Sequence, residues 1–522
     1  METAAPSQAN AIDWFLDRHV REGRGARVAF SDGARTLSYA ELQTATRQFA
    51  GALAAAGIGR ERRVGLLMLD TVDFPVVFWG CLRAGVVPVP INTLLPHELV
   101  GYILADSRAE AVFVAAPLHA ALAPVLHSLR GLRHVVQVGP APAGEPTGAP
   151  TLDGFLASGD PTTGTAEAVA EEVAFWVYSS GSTGAPKGVR HVHASLRATA
   201  DTYAAQVLGI RADDVVFSAA KLFFSYGLGN AMTFPMSVGA ATALLPARPT
   251  ADAVLEVLRR ARPTIFCGVP TLYATLLAQP GIGPGAGSDR LRVCVSAGEA
   301  LPEAVGRRWR ERVGVDILDG IGSTEMLHIF LSNRPGEVRY GTTGRAVPGY
   351  ELRIVDAAGQ DVADGESGEL LVRGPSAAEG YWNQLAKSKQ TFRGEWTHTG
   401  DTYSRDAEGY YRYGGRSDDM MKVGGIWVSP FEVEEALVAH PAVLEAAVVG
   451  HADADGLIKP RAFVVLQAQA ADMDPDSLRD LLKQHVKERI GVWKYPRWIE
   501  FVETLPKTAT GKVQRYKLRG GA

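Results

Sequence analysis

Cysteine is scarce in this chain, with three in 522 residues. Cys81, Cys267 and Cys294 lie far apart in apolar stretches, which excludes a disulfide framework and a zinc site and suits a reducing cytoplasm. Charge of one sign is also lacking: 53 Lys and Arg stand against 57 Asp and Glu, a net −4. Without basic blocks the clustered phosphate contacts of a nucleic-acid binder are missing, and metabolite chemistry is the better expectation. Long apolar runs are missing too. The stretch near Phe74–Leu82 falls well short of the roughly 20 residues that span a bilayer, and the start METAAPSQANAIDWFLDRH has neither a basic segment nor an apolar core. No export or membrane insertion is expected, and no repeat of fixed period is present.

What is present is an α/β alternation. Ser38 and Glu41 form a capping box for a helix over 36–57, with Leu42, Phe49 and Leu53 on one face and Gly57 to close it. Apolar strand-like runs at 64–68, 111–115, 174–178, 264–268 and 292–296 alternate with amphipathic helical patterns, which predicts buried, largely parallel sheets. After about residue 340 short strands with Gly-rich turns predict a β-rich unit over 340–417. The last hundred residues, 418–522, read as a compact α+β domain: helix near 431–439, strands near 446–449 and 462–466, a long helix near 475–490, a strand near 498–502. The Ala-, Pro- and Gly-rich stretch 138–170 reads as a long surface connection.

The strongest chemical signal is Tyr178-Ser-Ser-Gly-Ser-Thr-Gly-Ala-Pro-Lys-Gly188, directly after a strand. Small residues let backbone N–H groups approach a polyphosphate, hydroxyls add donors, and Lys187 adds a mobile charge. A flexible surface turn is the other reading of such a run. It is not a Walker A loop, because Gly188 follows Lys187 where that motif needs Ser or Thr.

The order of this loop resembles the AMP-forming acyl and aryl adenylating superfamily, which includes acyl-CoA synthetases, peptide-synthetase adenylation domains and luciferases. Gly322-Ser-Thr-Glu325, Thr399-Gly-Asp401, Gly415-Arg-Ser-Asp-Asp419 and Pro506-Lys-Thr-Ala-Thr-Gly-Lys512 resemble further motifs of that family in its order. The resemblance implies a large N-terminal domain, 1–417, of layered α/β subdomains, and a small mobile domain, 418–522, turning about Asp418. It implies that Ser179, Ser180, Gly181, Ser182, Thr183, Gly184 and Lys187 hold the ATP phosphates, that Thr324 meets the α-phosphate, and that Thr183 and Glu325 hold Mg²⁺. Gly298, Glu299, Asp319 and Ile321 would line the adenosine. Ile321 stands where an aromatic residue is frequent. Asp401 would bind the ribose with Arg416 beside it. Lys512, by itself a tail lysine, would neutralise charge developing between carboxylate and phosphate. Gly424, Gly425 and Trp427 would line a pantetheine tunnel.

The run Lys221-Leu-Phe-Phe-Ser-Tyr-Gly-Leu-Gly-Asn230 has no acid to pair an α-ammonium, which disfavours amino acids. With Glu325-Met-Leu-His-Ile-Phe-Leu-Ser-Asn333 it resembles benzoate-CoA ligases. The acid pocket implied is Ser225, Tyr226, Gly322, His328 and Ile329; Ser225 stands where Ala is expected, and Tyr226 and His328 could equally be packing residues. The expected activity is ATP-dependent conversion of benzoate to benzoyl-AMP and then to a thioester, with CoA as acceptor. Alternatives are a carrier-protein phosphopantetheine as the thiol, a non-catalytic acyl-adenylate-binding paralogue and, more distantly, a luciferase-like oxygenase.

Overall fold

A computed structural model describes residues 9–140, 149–179, 185–416, 419–423, 426–453, 456–470, 472–507 and 513–519, with only the backbone of Ile426 and Trp427. Its largest sheet among these residues has nine strands. Ile265–Gly268, Val293–Ser296 and Ile317–Gly322 run parallel side by side in it, and Ile329–Ser332 closes that end antiparallel. A second, four-stranded sheet is parallel throughout. Helices cover both, because strands apolar on each face need cover on each face. The Ser38 capping box forms as the sequence predicts, and the helix Tyr39–Ala55 packs Leu42, Phe49 and Leu53 into the core.

Antiparallel strands Glu351–Val355, Ser367–Arg373, Trp396–Arg405 and Tyr411–Arg416 make the β-rich unit. In the small C-terminal domain, Val443–Ala452 and Ile458–Leu466 pair antiparallel, Trp498–Phe501 adds parallel, and helices Pro430–Val438 and Pro475–Ile490 lie against them. The architecture is therefore mixed α/β, with a large N-terminal and a small C-terminal domain.

Two features go beyond expectation. The described parts of 138–170 stay mostly exposed, as a surface connection should, but carry one short helix. Helix Leu152–Ala157 sets Phe155 against Phe49 and Phe113, and a Cβ on Gly159 would stand 1.8 Å from the Gln48 carbonyl oxygen. Buried aromatic area outweighs the segment's loop-forming composition. Secondly, π-helical turns over Ala200–Leu208 and Gly229–Thr233, which periodicity does not signal, bracket the acid-pocket run. Cys81, Cys267 and Cys294 are all buried and free. No helix is long and apolar enough to cross a membrane among the described residues.

Candidate active site

Gly298, Glu299 and the turn after Gly322 lie past the carboxyl ends of the parallel strands Val293–Ser296 and Ile317–Gly322, where open α/β sheets bind ligands, whereas Lys187, Asp401 and Arg416 come from antiparallel strands. The hydroxyl-rich loop turns between antiparallel strands Val173–Ser179 and Lys187–Val192, with Ser179 opposite Lys187. Ser180, Gly181, Ser182, Thr183 and Gly184 lie outside the described residues, as do Asp418, Gly424, Gly425, Lys512 and the side chain of Trp427. The Lys187 ammonium lies 4.4 Å over the ring of Tyr381 and 3.4 Å from its hydroxyl. Partial burial lowers its pKa, and the Glu325 charge opposes that shift. The Tyr381 hydroxyl donates to Glu325 Oε1 at 2.7 Å.

Thr324 and Glu325 sit in a turn that leaves strand Ile317–Gly322 and returns along Ile329–Ser332. A Cβ on Gly322 would be 2.4 Å from the His328 carbonyl oxygen, so only glycine fits. Leu327 closes the turn at φ +63°, a left-handed conformation that costs a non-glycine residue about 1–2 kcal/mol. Three carbonyls of the turn are tied down: Thr324 O accepts from His191 Nε2 at 2.7 Å, Glu325 O from Ala378 N at 2.8 Å, and Met326 O from Ser376 Oγ at 2.7 Å. His191 is buried, its pKa pushed down to about 4 by burial, and stacks on Phe175.

Asp319 is buried at the base of this strand, accepts from Leu301 N at 3.2 Å, and has its pKa raised by burial. Ile321, half-buried, pairs with Leu331. Gly298 takes φ +98° just past strand Val293–Ser296, and the neighbouring Glu299 accepts from the Val513 amide at 2.9 Å, which brings the C-terminal tail to this end of the sheet. Asp401 and Arg416 are cross-strand partners, 3.3 Å apart between Oδ1 and Nη1.

On the acid side, Ser225 and Tyr226 open the helical turn Ser225–Leu228. The Tyr226 hydroxyl lies 3.1 Å from both Gly268 O and Val295 O, which fixes its ring. His328 packs against Tyr203, Tyr226 and Phe234, with ring centroids 5.3, 5.7 and 4.5 Å away, and Gly229 leaves room for it. Burial pushes its pKa down to about 3, so it is neutral at pH 7. Its Nε2 lies 3.3 Å from Tyr226 O. A carbonyl only accepts, so Nε2 carries the proton and Nδ1 is left a lone pair, buried and without a protein partner. The Ser225 hydroxyl and both amide atoms of Asn230 are likewise buried and unpartnered. Ile329 is buried against Gly320 in the strand pair. Lys221, just upstream, is committed to structure: it donates to Leu245 O and Ala247 O beside buried Asp70.

Sequence reading missed Tyr381, His191 and Asn230. Tyr381 and His191 act on Glu325 and Thr324 from far along the chain, and nothing local marks them; Asn230 ends a run quoted for other residues. No group of three or more His, Cys, Asp or Glu able to hold a metal occurs among the described residues. Mg²⁺ is commonly held by one or two carboxylates together with substrate phosphates. Glu325 fits that part.

A model of the AMP-binding enzyme family matches residues 16–382, and a model of the AMP-binding enzyme C-terminal domain matches 432–512. The chain belongs to the AMP-binding enzyme family. It is 54% identical over 512 residues to a 4-hydroxybenzoate–CoA/benzoate–CoA ligase of Rhodopseudomonas palustris, covering 98% of this chain and 94% of that one. Among solved structures, a benzoate CoA ligase of Burkholderia xenovorans superposes with TM-score 0.90 at 49% identity, covering 98% and 99% of the two chains. An anthranilate CoA ligase in complex with anthranoyl-AMP superposes with TM-score 0.93 at 42% identity, covering 98% and 97%.

Proposed function

We propose that the protein is an ATP-dependent aryl-acid–CoA ligase acting on benzoate. The observation that carries this reading is the single turn from Gly322 to His328. It presents Glu325 to the Tyr381 hydroxyl that Lys187 also approaches and, three residues after Glu325, seats His328 on Tyr226. One segment thus joins a phosphate-binding half to a flat aromatic pocket. Two of the relatives named above carry benzoate–CoA ligase in their names, and the third is an anthranilate CoA ligase.

In the first step a carboxylate oxygen bonds to the α-phosphorus of ATP, the bond to the bridging oxygen breaks, and pyrophosphate leaves. Lys187 and the hydroxyl-rich loop hold the departing phosphates, Thr324 meets the α-phosphate, and Asp401 accepts from the ribose hydroxyls. Glu325 with Thr183 would hold Mg²⁺, which would supply positive charge against the crowded oxyanions. Lys512 offsets charge developing at the reacting centre. In the second step the CoA sulfur bonds to the carbonyl carbon and AMP leaves. The C-terminal domain turns about Asp418, bringing Gly424, Gly425 and Trp427 to the thiol. In support, Arg416 ends the last strand of the β-rich unit, and the two family models leave 383–431 between them.

A neutral His328 leaves no buried cation to quench the attacking carboxylate. Its unpartnered Nδ1 accepts and Ser225 Oγ donates or accepts, so a hydroxyl or amino group on the ring has partners that plain benzoate leaves idle. Three buried free thiols suit the reducing cytoplasm we assign. The test is pyrophosphate release over benzoate and its monosubstituted forms, with CoA and a carrier protein offered in turn. Release dependent on benzoate, with CoA consumed, is expected; a preference for hexanoate or longer chains would overturn the aryl assignment.

A further inference from the structure

Lys187 and Glu325 have opposite charge and both serve the nucleotide in the reading above, on which this inference rests. Two such groups side by side would ordinarily close into an ion pair. They do not: no direct ion pair joins them, and the phenol of Tyr381 occupies the contact instead. Its hydroxyl donates to Glu325 Oε1 at 2.7 Å while Lys187 Nζ lies 3.4 Å from the Tyr381 hydroxyl oxygen and 4.4 Å over the ring. The phenol cannot drift. Tyr381 is buried, pairs through its backbone with Val189 on the Lys187–Val192 strand, donates its amide to Ser388 Oγ at 3.0 Å, and packs on Phe392. Trp382, the next residue, donates its amide to Gly188 O at 2.8 Å.

We propose that Tyr381 is a positioning residue that keeps the cation and the carboxylate apart, leaving Lys187 available to the triphosphate and Glu325 to magnesium. The ring face satisfies the ammonium without neutralising it, since a cation–π contact leaves the charge in place. The hydroxyl aims the carboxylate.

Calorimetric binding of ATP to the full chain, with and without Mg²⁺, tests this. Tyr381→Phe keeps the ring and removes the hydroxyl: Mg·ATP should bind about tenfold more weakly, with metal-free ATP nearly unchanged. Tyr381→Ala lets Lys187 close on Glu325, and metal-free ATP should weaken about tenfold as well. Adding Glu325→Gln to Tyr381→Ala should restore metal-free binding, because it releases Lys187. The KM for benzoate should stay at the wild-type value in the Phe variant, where a general packing defect would raise it. A Phe variant that binds Mg·ATP as wild type does, or a folded double variant that regains nothing, overturns the proposal. If the Ala variant does not fold, the near-isosteric Phe variant decides. Wild-type pyrophosphate release is measured separately: its absence would sink the ligase reading, whereas normal release with an unshifted Phe variant sinks the role of Tyr381 alone.

Discussion

The two halves of the site differ in the polar atoms they leave open, although Ser179 Oγ and His191 Nδ1 on the nucleotide side are also buried without a protein partner. On the nucleotide side the backbone is satisfied before any ligand arrives, the carbonyls of Thr324, Glu325 and Met326 each holding a protein donor. On the acid side His328 Nδ1, Ser225 Oγ and both amide atoms of Asn230 are buried with no protein partner. A buried polar group without a partner costs about 1–3 kcal/mol. The difference teaches where each half gets its selectivity. The nucleotide side spends rigidity on charge that develops in the transition state, which needs donors fixed in advance. The acid side leaves polar capacity open, and the ring substituents of the substrate decide whether it is used.

The largest effect expected breaks the nucleotide side alone. Lys512→Ala should lower benzoyl-AMP formation by about 3–4 kcal/mol in barrier, a factor of 10²–10³, as loss of an oxyanion contact does. The same variant should still convert supplied benzoyl-AMP to thioester, and equal loss of both steps would mean that Lys512 is structural or acts in both states. Asp418→Pro, with φ fixed near −65°, should keep pyrophosphate release and strongly impair thioester formation. Thioester formation at the wild-type rate in that variant would rule out Asp418 as the hinge.

His328→Ala opens the acid side and should reduce kcat/KM for benzoate by about 1–3 kcal/mol while leaving ATP binding in place. Unchanged acid kinetics would make His328 a packing residue. The same histidine gives a pH signature. Its pKa is about 3 in the folded chain against an ordinary 6.5, so below 6.5 the unfolded chain takes a proton that the folded chain refuses. Stability is therefore present above pH 6.5 and lost as pH falls toward 3, at about 1.4 kcal/mol per pH unit. His328→Gln should flatten the curve from urea unfolding by about that slope. Asp70, raised to about 6 by burial, tilts both curves the other way and cancels in the difference. The smallest effect is the finest probe of the open side. Ser225→Ala should spare benzoate and weaken a hydroxy- or aminobenzoate that bonds the hydroxyl by about 0.5–1.5 kcal/mol in kcat/KM. An equal change for benzoate would mean that the hydroxyl serves the fold.

Much of the scaffold was legible because its causes are local. Ser38 caps a helix that starts at Tyr39, and the apolar runs became strands within a residue or two of their predicted bounds. The motifs named candidate site residues, and the structure brings Glu325 near Lys187 through Tyr381 and His328 onto Tyr226. What could not be read is whatever depends on long-range contact. The phosphate loop spans an antiparallel hairpin, His191 reaches Thr324 across 133 residues, and Tyr381 reaches Glu325 across 56.

The three cysteines have a consequence for an enzyme that handles thiols. Burial raises the pKa of each above the usual thiol value, so the thiolate, the only form that attacks a disulfide, is scarce at neutral pH. Exchange of these buried sulfurs with oxidised CoA or a mixed disulfide is therefore disfavoured, although the acceptor thiol itself is reactive.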